Sequence, residues 1–314
     1  MHRTFATTSL SDMSTSFKPI SKVVASSDGM PIYAEAIGDP SKPALIMAHG
    51  MALSAATFDD VFFDKRMLNE VYMVRYDLRG HGRSGKPTNP EAYVSSVWAD
   101  DYTAVMQAFN IGKHVFLGWS YGATVACDIC ANISPNPLAG IAWMTPLPYV
   151  GPIMGAVGTP VILGFLPGLV SATDVALHVS TKIAFVDSLV NDPAALDFKL
   201  KTSMIGQAML HPPEVAQLIT TRPQDPAKLF EAGQQGVPLL LLHGTADTQV
   251  KGAVVEKEIG PHFKDFEVRE IEGGCHALPL EYLDEVVESL LKFVKRVVVR
   301  ESELSHFTGS DYDL

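Results

Sequence analysis

Charge is missing where the chain is most apolar: from Ile129 to Thr173 there is no Asp, Glu, Lys or Arg. By length alone that gap could hold a membrane-crossing helix. Its composition excludes one. Pro135, Pro137, Pro146, Pro148, Pro152, Pro160 and Pro167 stand in it with six glycines among them, and such breaks would strand backbone polar groups where no water can reach them. Cysteine is scarce, three in 314 residues, which excludes a disulfide framework and fits a reducing, cytoplasmic setting. Basic residues are outnumbered, 24 Lys and Arg against 35 Asp and Glu for a net charge of -11, so no nucleic-acid partner is expected. No Cys and His residues group at zinc spacing and no Gly-rich phosphate loop occurs, so neither a metal nor a cofactor is expected.

What is present is enough apolar material, 47% of the residues, to build one large core with an inserted lid rather than an array of domains. The first 20 residues are rich in Ser and Thr and hold no apolar run. They read as a disordered extension and not a secretory signal, with His2, Arg3 and the lack of acids before Asp12 leaving organelle targeting open. Residues 299–314 are polar and acidic and read as a flexible tail. Val23-Val24-Ala25 and Ile32-Tyr33-Ala34-Glu35-Ala36 around Asp28-Gly29 read as an opening antiparallel hairpin.

Short strand-like runs then recur, apolar but for Arg75 and for the half-charged Phe266–Ile271, each ending in a glycine-rich or polar turn. Ala44–Ala48 runs into His49-Gly50-Met51, and Val71–Tyr76 into Asp77-Leu78-Arg79-Gly80-His81-Gly82. His114–Leu117 runs into Gly118-Trp119-Ser120-Tyr121-Gly122, Pro238–His243 into Gly244-Thr245-Ala246-Asp247, and Phe266–Ile271 into Gly273-Gly274-Cys275-His276. Runs of this length without alternation are what strands buried on both faces of a parallel sheet require. The Gly-x-Ser-x-Gly turn carries the most information. A serine exposed on a sharp strand-to-helix turn needs a strained backbone, and side chains at its flanking glycines would strike the neighbouring elements. Ala123–Ala126 is compatible with the helix that should follow.

Taken jointly, these runs and turns resemble the α/β-hydrolase fold superfamily over roughly residues 20–298, in its serine-nucleophile esterase/lactonase-like branch with a cap. Ser120, Asp247 and His276 follow one another in the order that superfamily uses. The resemblance implies an α/β fold with a mostly parallel eight-stranded sheet flanked by helices and an inserted, mainly helical cap. It places the core at 21–148 and 227–298 and the cap at 149–226, with Leu138–Thr145 a further core strand. The implied chemistry is acyl transfer. Ser120 attacks a carbonyl after His276 takes its proton, Asp247 orients the imidazole, and the backbone N–H groups of Met51 and Tyr121 receive the oxyanion.

Alternatives remain beside these roles. Asp247 also suits an Asx turn, and Glu272 is the nearest rival carboxylate in sequence. His49, His81 and His243 read as loop histidines, and Asp77 and Arg79 as partners within a structural loop. Cys127 and Cys130 form a Cys-x-x-Cys, but they fall inside the helix after Ser120 rather than at its first turn, so packing is expected. A helix is expected to open at Pro279. An aspartate nucleophile, as in dehalogenase-like and epoxide hydrolase-like members, is excluded by Ser120. Ala277 departs from the Lys of hydroxynitrile lyase-like members and from the Trp of carbon–carbon bond hydrolases at that position. A small-molecule ester or lactone is therefore the expected partner. A ligand receptor with little turnover stays open, because fold alone does not establish chemistry.

Overall fold

A computed structural model describes residues 18–308, with side chains as far as Arg300. The first 17 residues, most of the expected extension, and 309–314 lie outside it. Eight strands form one sheet: β1 (Ile20–Ala25), β2 (Pro31–Ile37), β3 (Ala44–Ala48), β4 (Tyr72–Tyr76), β5 (His114–Trp119), β6 (Leu138–Met144), β7 (Leu239–Gly244) and β8 (Phe266–Ile271). Their order is β1-β2-β4-β3-β5-β6-β7-β8. β1 and β2 form the expected hairpin, and β2 also pairs antiparallel with β4; every later pairing is parallel. Every residue of β4, β5, β6 and β7 is buried, whereas β1 at the edge is mostly exposed. The continuous apolar runs thus mark the covered centre of the sheet.

Twelve α-helices surround it: α1 (Asp59–Phe62), α2 (Lys65–Glu70), α3 (Ser95–Ala108), α4 (Val125–Asn132), α5 (Ile153–Val157), α6 (Pro160–Leu169), α7 (Val175–Asp187), α8 (Phe198–Met209), α9 (Pro213–Thr221), α10 (Ala227–Gln234), α11 (Gly252–Ile259) and α12 (Leu283–Thr308). α5 to α9 all fall between β6 and β7. Side-chain caps start three of them. Thr159 accepts from Ile162 N with Pro160 at the first position of α6, Asp174 accepts from Leu177 N, and Asp197 from Leu200 N. The prolines that forbid a membrane helix therefore break the charge-free stretch into short helices and turns. Among the described residues no helix is long and apolar enough to cross a membrane.

Three boundaries differ from expectation. The turn after Ser120 is a 3₁₀ helix through Thr124, and α4 begins only at Val125. Pro279 lies in a 3₁₀ turn, Leu278–Leu280, with α12 starting at Leu283. α12 does not stop at residue 298: its backbone stays helical to Thr308. Residues 299–308 contain no Gly or Pro, so polarity alone gives the helix no reason to end there.

Reversal of strand order at β4-β3-β5 leaves a crevice between the ends of β3 and β5, where their connections leave in opposite directions. Met51 follows β3 and Ser120 follows β5. A cavity of about 700 Å³ opens at the other ends of the strands, beside Ala44, His114 and Ala139, and is lined by none of Met51, Ser120, Tyr121, Asp247 and His276.

Candidate active site

Ser120 stands at the end of β5 with φ 52, a left-handed value uncommon for a residue with a side chain. Its surroundings enforce the turn. A Cβ at Gly118 would lie 2.4 Å from Ala123 Cα, and one at Gly122 would lie 2.1 Å from the Ala48 carbonyl oxygen. Only glycine fits either position, so β3 and the first turn after Ser120 can approach the Ser120 turn from two sides. The Leu147 N–H donates to the Ser120 carbonyl at 2.9 Å and fixes the turn from the far side.

The side chains of Ser120, His276 and Asp247 form one hydrogen-bonded line. Ser120 Oγ is 2.9 Å from His276 Nε2, and His276 Nδ1 is 3.0 and 2.9 Å from the two oxygens of Asp247. A carboxylate on Nδ1 requires a proton there, which leaves the Nε2 lone pair to accept from the serine hydroxyl. The backbone N–H groups of Gln249 and Val250 donate to Asp247 Oδ1 at 2.7 and 3.0 Å, so the acid is itself oriented. Glu272 is exposed and its carboxylate is not in this line. His276 is held through its own carbonyl, which accepts from Trp119 Nε1 at 3.0 Å and from Thr145 Oγ1 at 2.9 Å. The His276 and Asp247 side chains are each 1% exposed, so the imidazole–carboxylate pair is shielded from water.

Met51 and Tyr121 line the same small cavity as Ser120, about 70 Å³ in volume. Its other walls are chiefly apolar, with Leu147 from the loop after β6, Met154 and Val157 from α5, Ile162, Leu163 and Leu166 from α6, and Phe185 from α7. No acid or base lines it. Three charged residues of the insertion are engaged elsewhere: Asp174 caps α7, Asp187 pairs with Lys201 at 2.5 Å, and Lys182 donates to the carbonyls of Ala208 and His211. Burial without a counter-ion brings the Lys182 ammonium down to about 8.

The remaining sequence candidates have structural partners. His49 Nδ1 lies 2.7 Å from the Gly50 carbonyl and its Nε2 accepts from the Leu78 N–H at 3.0 Å, which ties the segment before Met51 to the loop after β4. Asp77 stays within its loop, taking the N–H of Arg83 at 2.7 Å, and also the N–H of Ala55 at 2.8 Å. Arg79 does not: its fork grips Asp101 of α3 at 2.6 Å per arm. His81 is no simple turn residue but is stacked on His211. Cys127 and Cys275 are buried, and burial raises both thiols and takes Cys130 up to about 12. That is the reverse of a redox Cys-x-x-Cys. Among the described residues no three His, Cys, Asp or Glu are grouped to hold a metal.

Sequence reasoning missed the residues that hold the site rather than form it. Thr145 and Trp119 fasten the His276 carbonyl, and Arg222 binds Tyr121 from the end of α9. Thr145 carries a trace of its role in lying just past β6, beside the end of β5. Arg222 carries none, because nothing in a lone arginine after an apolar helix tells what it will meet.

A serine exposed at a strand-to-helix turn, an imidazole and a buried carboxylate at the ends of a mostly parallel sheet define an α/β-hydrolase, and the comparisons place the chain there. It belongs to the family described as serine aminopeptidase, S33, whose profile matches residues 39–282. It is 24% identical over 288 residues to the bifunctional esterase/perhydrolase DCH of Acinetobacter calcoaceticus, covering 87% of this chain and 99% of that protein. It is 25% identical to the non-heme chloroperoxidase of Streptomyces lividans over the same shares. A higher identity, 34% to the "Probable oxidoreductase EphD" of Mycobacterium tuberculosis, extends over 96 residues only, 31% of this chain and 16% of that protein. Among solved structures, the esterase RhEst1 from Rhodococcus sp. ECU1013 superposes with a TM-score of 0.79 at 23% identity, over 88% of this chain and 99% of that one.

Proposed function

We propose that this chain is a serine hydrolase of small, neutral, mostly apolar carboxylic esters or lactones, acting through an acyl-enzyme on Ser120. The observation that carries the reading is the line from Ser120 Oγ through His276 to Asp247 opening into a cavity without a charged wall. His276 Nε2 removes the hydroxyl proton as Ser120 Oγ bonds to the carbonyl carbon, and Asp247 stabilises the imidazolium that forms. The carbonyl oxygen becomes an oxyanion for the N–H groups of Met51 and Tyr121. Collapse expels the alcohol, which takes its proton from His276. A water activated by the same imidazole then releases the acid and restores Ser120. A lactone follows the same course with its alcohol still tethered.

Residues 149–226 serve as the cap over this site, since α5, α6 and α7 supply most of the cavity's apolar wall. An ionised substrate group placed there would lose its water without gaining a counter-charge. Among the relatives that cover most of the chain, the names of an esterase/perhydrolase and an esterase structure agree with ester chemistry, and that of a non-heme chloroperoxidase does not speak to it. The test is hydrolysis of p-nitrophenyl acetate and butyrate by the parent and by Ser120→Ala. Turnover that depends on Ser120 supports the reading; ligand binding without turnover in the parent points instead to a receptor.

A further inference from the structure

The polar cluster behind Tyr121 joins the end of the insertion to the residue that follows the nucleophile. The Tyr121 hydroxyl donates to the Ile219 carbonyl at 3.0 Å and accepts from Arg222 Nε at 2.8 Å. The other arms of Arg222 reach Asp128 of α4 at 3.0 and 2.8 Å and Thr124 Oγ1 at 3.1 Å. Its guanidinium lies 4.3 Å from the Trp98 ring centre. Gln224 adds two bonds to the same helix start, donating to the Thr124 carbonyl at 3.0 Å and to Asp128 at 2.8 Å. Arg222, Tyr121, Asp128 and Thr124 are all buried, with exposures of 3% or less.

Two features make this more than a structural tie. The cluster is built from both sides of the cleft: Ile219, Arg222 and Gln224 come from α9 and the chain leaving it, Tyr121, Thr124 and Asp128 from the turn and helix after Ser120. It also fastens both ends of one short 3₁₀ turn, Ser120–Thr124, whose second residue faces the cavity. The turn's own hydrogen bonds hold it weakly, because 3₁₀ bonds are poorly aligned and its first residue is strained, so its geometry depends on what packs and bonds against it. A forked donor binds the Tyr121 hydroxyl, Thr124 Oγ1 and Asp128 together and so anchors the Tyr121 side chain to the start of α4, which a lysine with one point charge could not do.

We propose that Arg222 is a positioning residue for acyl transfer, holding the Tyr121 N–H in the oxyanion site and making that site complete only while the α9 end of the insertion is seated. The proposal rests on the reading of Ser120 as nucleophile and Tyr121 as oxyanion donor. It assigns the insertion a part in the chemistry as well as in enclosing substrate.

The test uses three variants of the full chain: Tyr121→Phe, which removes only the hydroxyl; Arg222→Lys, which keeps a charge opposite Asp128; and the two combined. Should Arg222→Lys fail to fold, Tyr121→Phe alone still decides. With p-nitrophenyl butyrate, kcat of Tyr121→Phe should fall about tenfold, a fraction of what losing an oxyanion donor outright costs, with KM within about twofold. The Ki of an alkyl trifluoromethyl ketone, whose hemiketal oxygen occupies the oxyanion site, should rise by a matching factor. The combined variant should be no worse than the poorer single one, because residues acting as a unit are not additive. Folded variants whose kcat and ketone Ki stay within about twofold of the parent overturn the positioning role, as does a fall in kcat with the ketone Ki unmoved. Turnover surviving in Ser120→Ala overturns the nucleophile reading and this proposal with it.

Discussion

His81 and His211 lie ring on ring, 4.1 Å between centres and 15° from parallel, although one belongs to the loop after β4 and the other to the connection between α8 and α9. Each gives its Nδ1 to a neighbouring carbonyl, His81 to Arg79 at 3.0 Å and His211 to Gly80 at 2.9 Å. His49 meets His81 edge-on, its ring centre 5.2 Å away. Desolvation holds both stacked rings neutral: His211 falls to about 3, with Lys182, His49 and Lys86 as lesser causes, and His81 falls well below its ordinary value, with His211, His49 and Lys86 as lesser causes.

The stack gives stability a pH dependence of known sign. In the unfolded chain these imidazoles bind protons near pH 6.5, whereas in the folded chain they stay neutral, so the unfolded state holds more protons once pH drops below that value. Stability should therefore decline from about pH 6.5 towards pH 5, by on the order of 1.4 kcal/mol per pH unit for each such imidazole. Urea midpoints across that window should show a shallower decline in His211→Gln than in the parent. An unchanged slope would mean that the stack does not remain neutral.

Glycines of opposite kind should answer to alanine in opposite directions. A Cβ at Gly122 would meet the Ala48 carbonyl oxygen at 2.1 Å, whereas one at Gly206, inside α8, meets nothing within 4 Å. Gly122→Ala should destabilise the fold by about 1–3 kcal/mol or more and abolish Ser120-dependent turnover. Gly206→Ala should stabilise it by up to about 1 kcal/mol. Denaturation midpoints of the two variants, measured side by side, give the comparison.

Ester turnover should separate the carboxylates near His276. Ser120→Ala and His276→Ala should each lose roughly 10⁴- to 10⁶-fold in kcat, with Asp247→Asn less severe. Glu272→Gln should alter kcat by less than about tenfold, or 1.4 kcal/mol. The opposite ranking of Asp247 and Glu272 would reassign the acid.

Substrate preference should follow the cavity wall. Each methylene buried against Leu163, Leu166 and Phe185 should add about 0.8 kcal/mol of binding until the 70 Å³ space is full. Activity should rise from acetate to slightly longer acyl groups and then drop. Hemi-esters bearing a free carboxylate should be poor substrates. A kcat/KM higher for such an ester than for its neutral analogue of equal length would overturn the uncharged-pocket reading.

The three thiols should be inert in the folded protein. Burial raises Cys127, Cys130 and Cys275 alike, so little thiolate forms at about pH 8, near the ordinary cysteine value. Iodoacetamide should label the native protein slowly and the urea-unfolded protein fast, and reductant should leave ester turnover unchanged. Rapid native labelling of Cys275, beside His276, would show that the loop opens.

The central strands and the Ser120 turn were legible in the sequence because their signals are local. An unbroken apolar run is what a strand covered on both faces must be, and Gly118 and Gly122 are the residues a turn pressed between β3 and its own helix tolerates. The order Ser120, Asp247, His276 is what the resemblance to the α/β-hydrolase fold superfamily implies for the turns at the strand ends. Local signals also misled: polarity after residue 298 suggested a loose tail, yet nothing in 299–308 breaks a helix and α12 continues to Thr308. Only the tertiary structure decided between Asp247 and Glu272 as the partner of Nδ1, since which carboxylate reaches an imidazole depends on where β7 and β8 put their loops. It alone brought Arg222 to Tyr121 and His211 to His81. Those pairs are 101 and 130 residues apart in sequence, and burial makes each matter, because a polar group without water must find its partner wherever the fold delivers one.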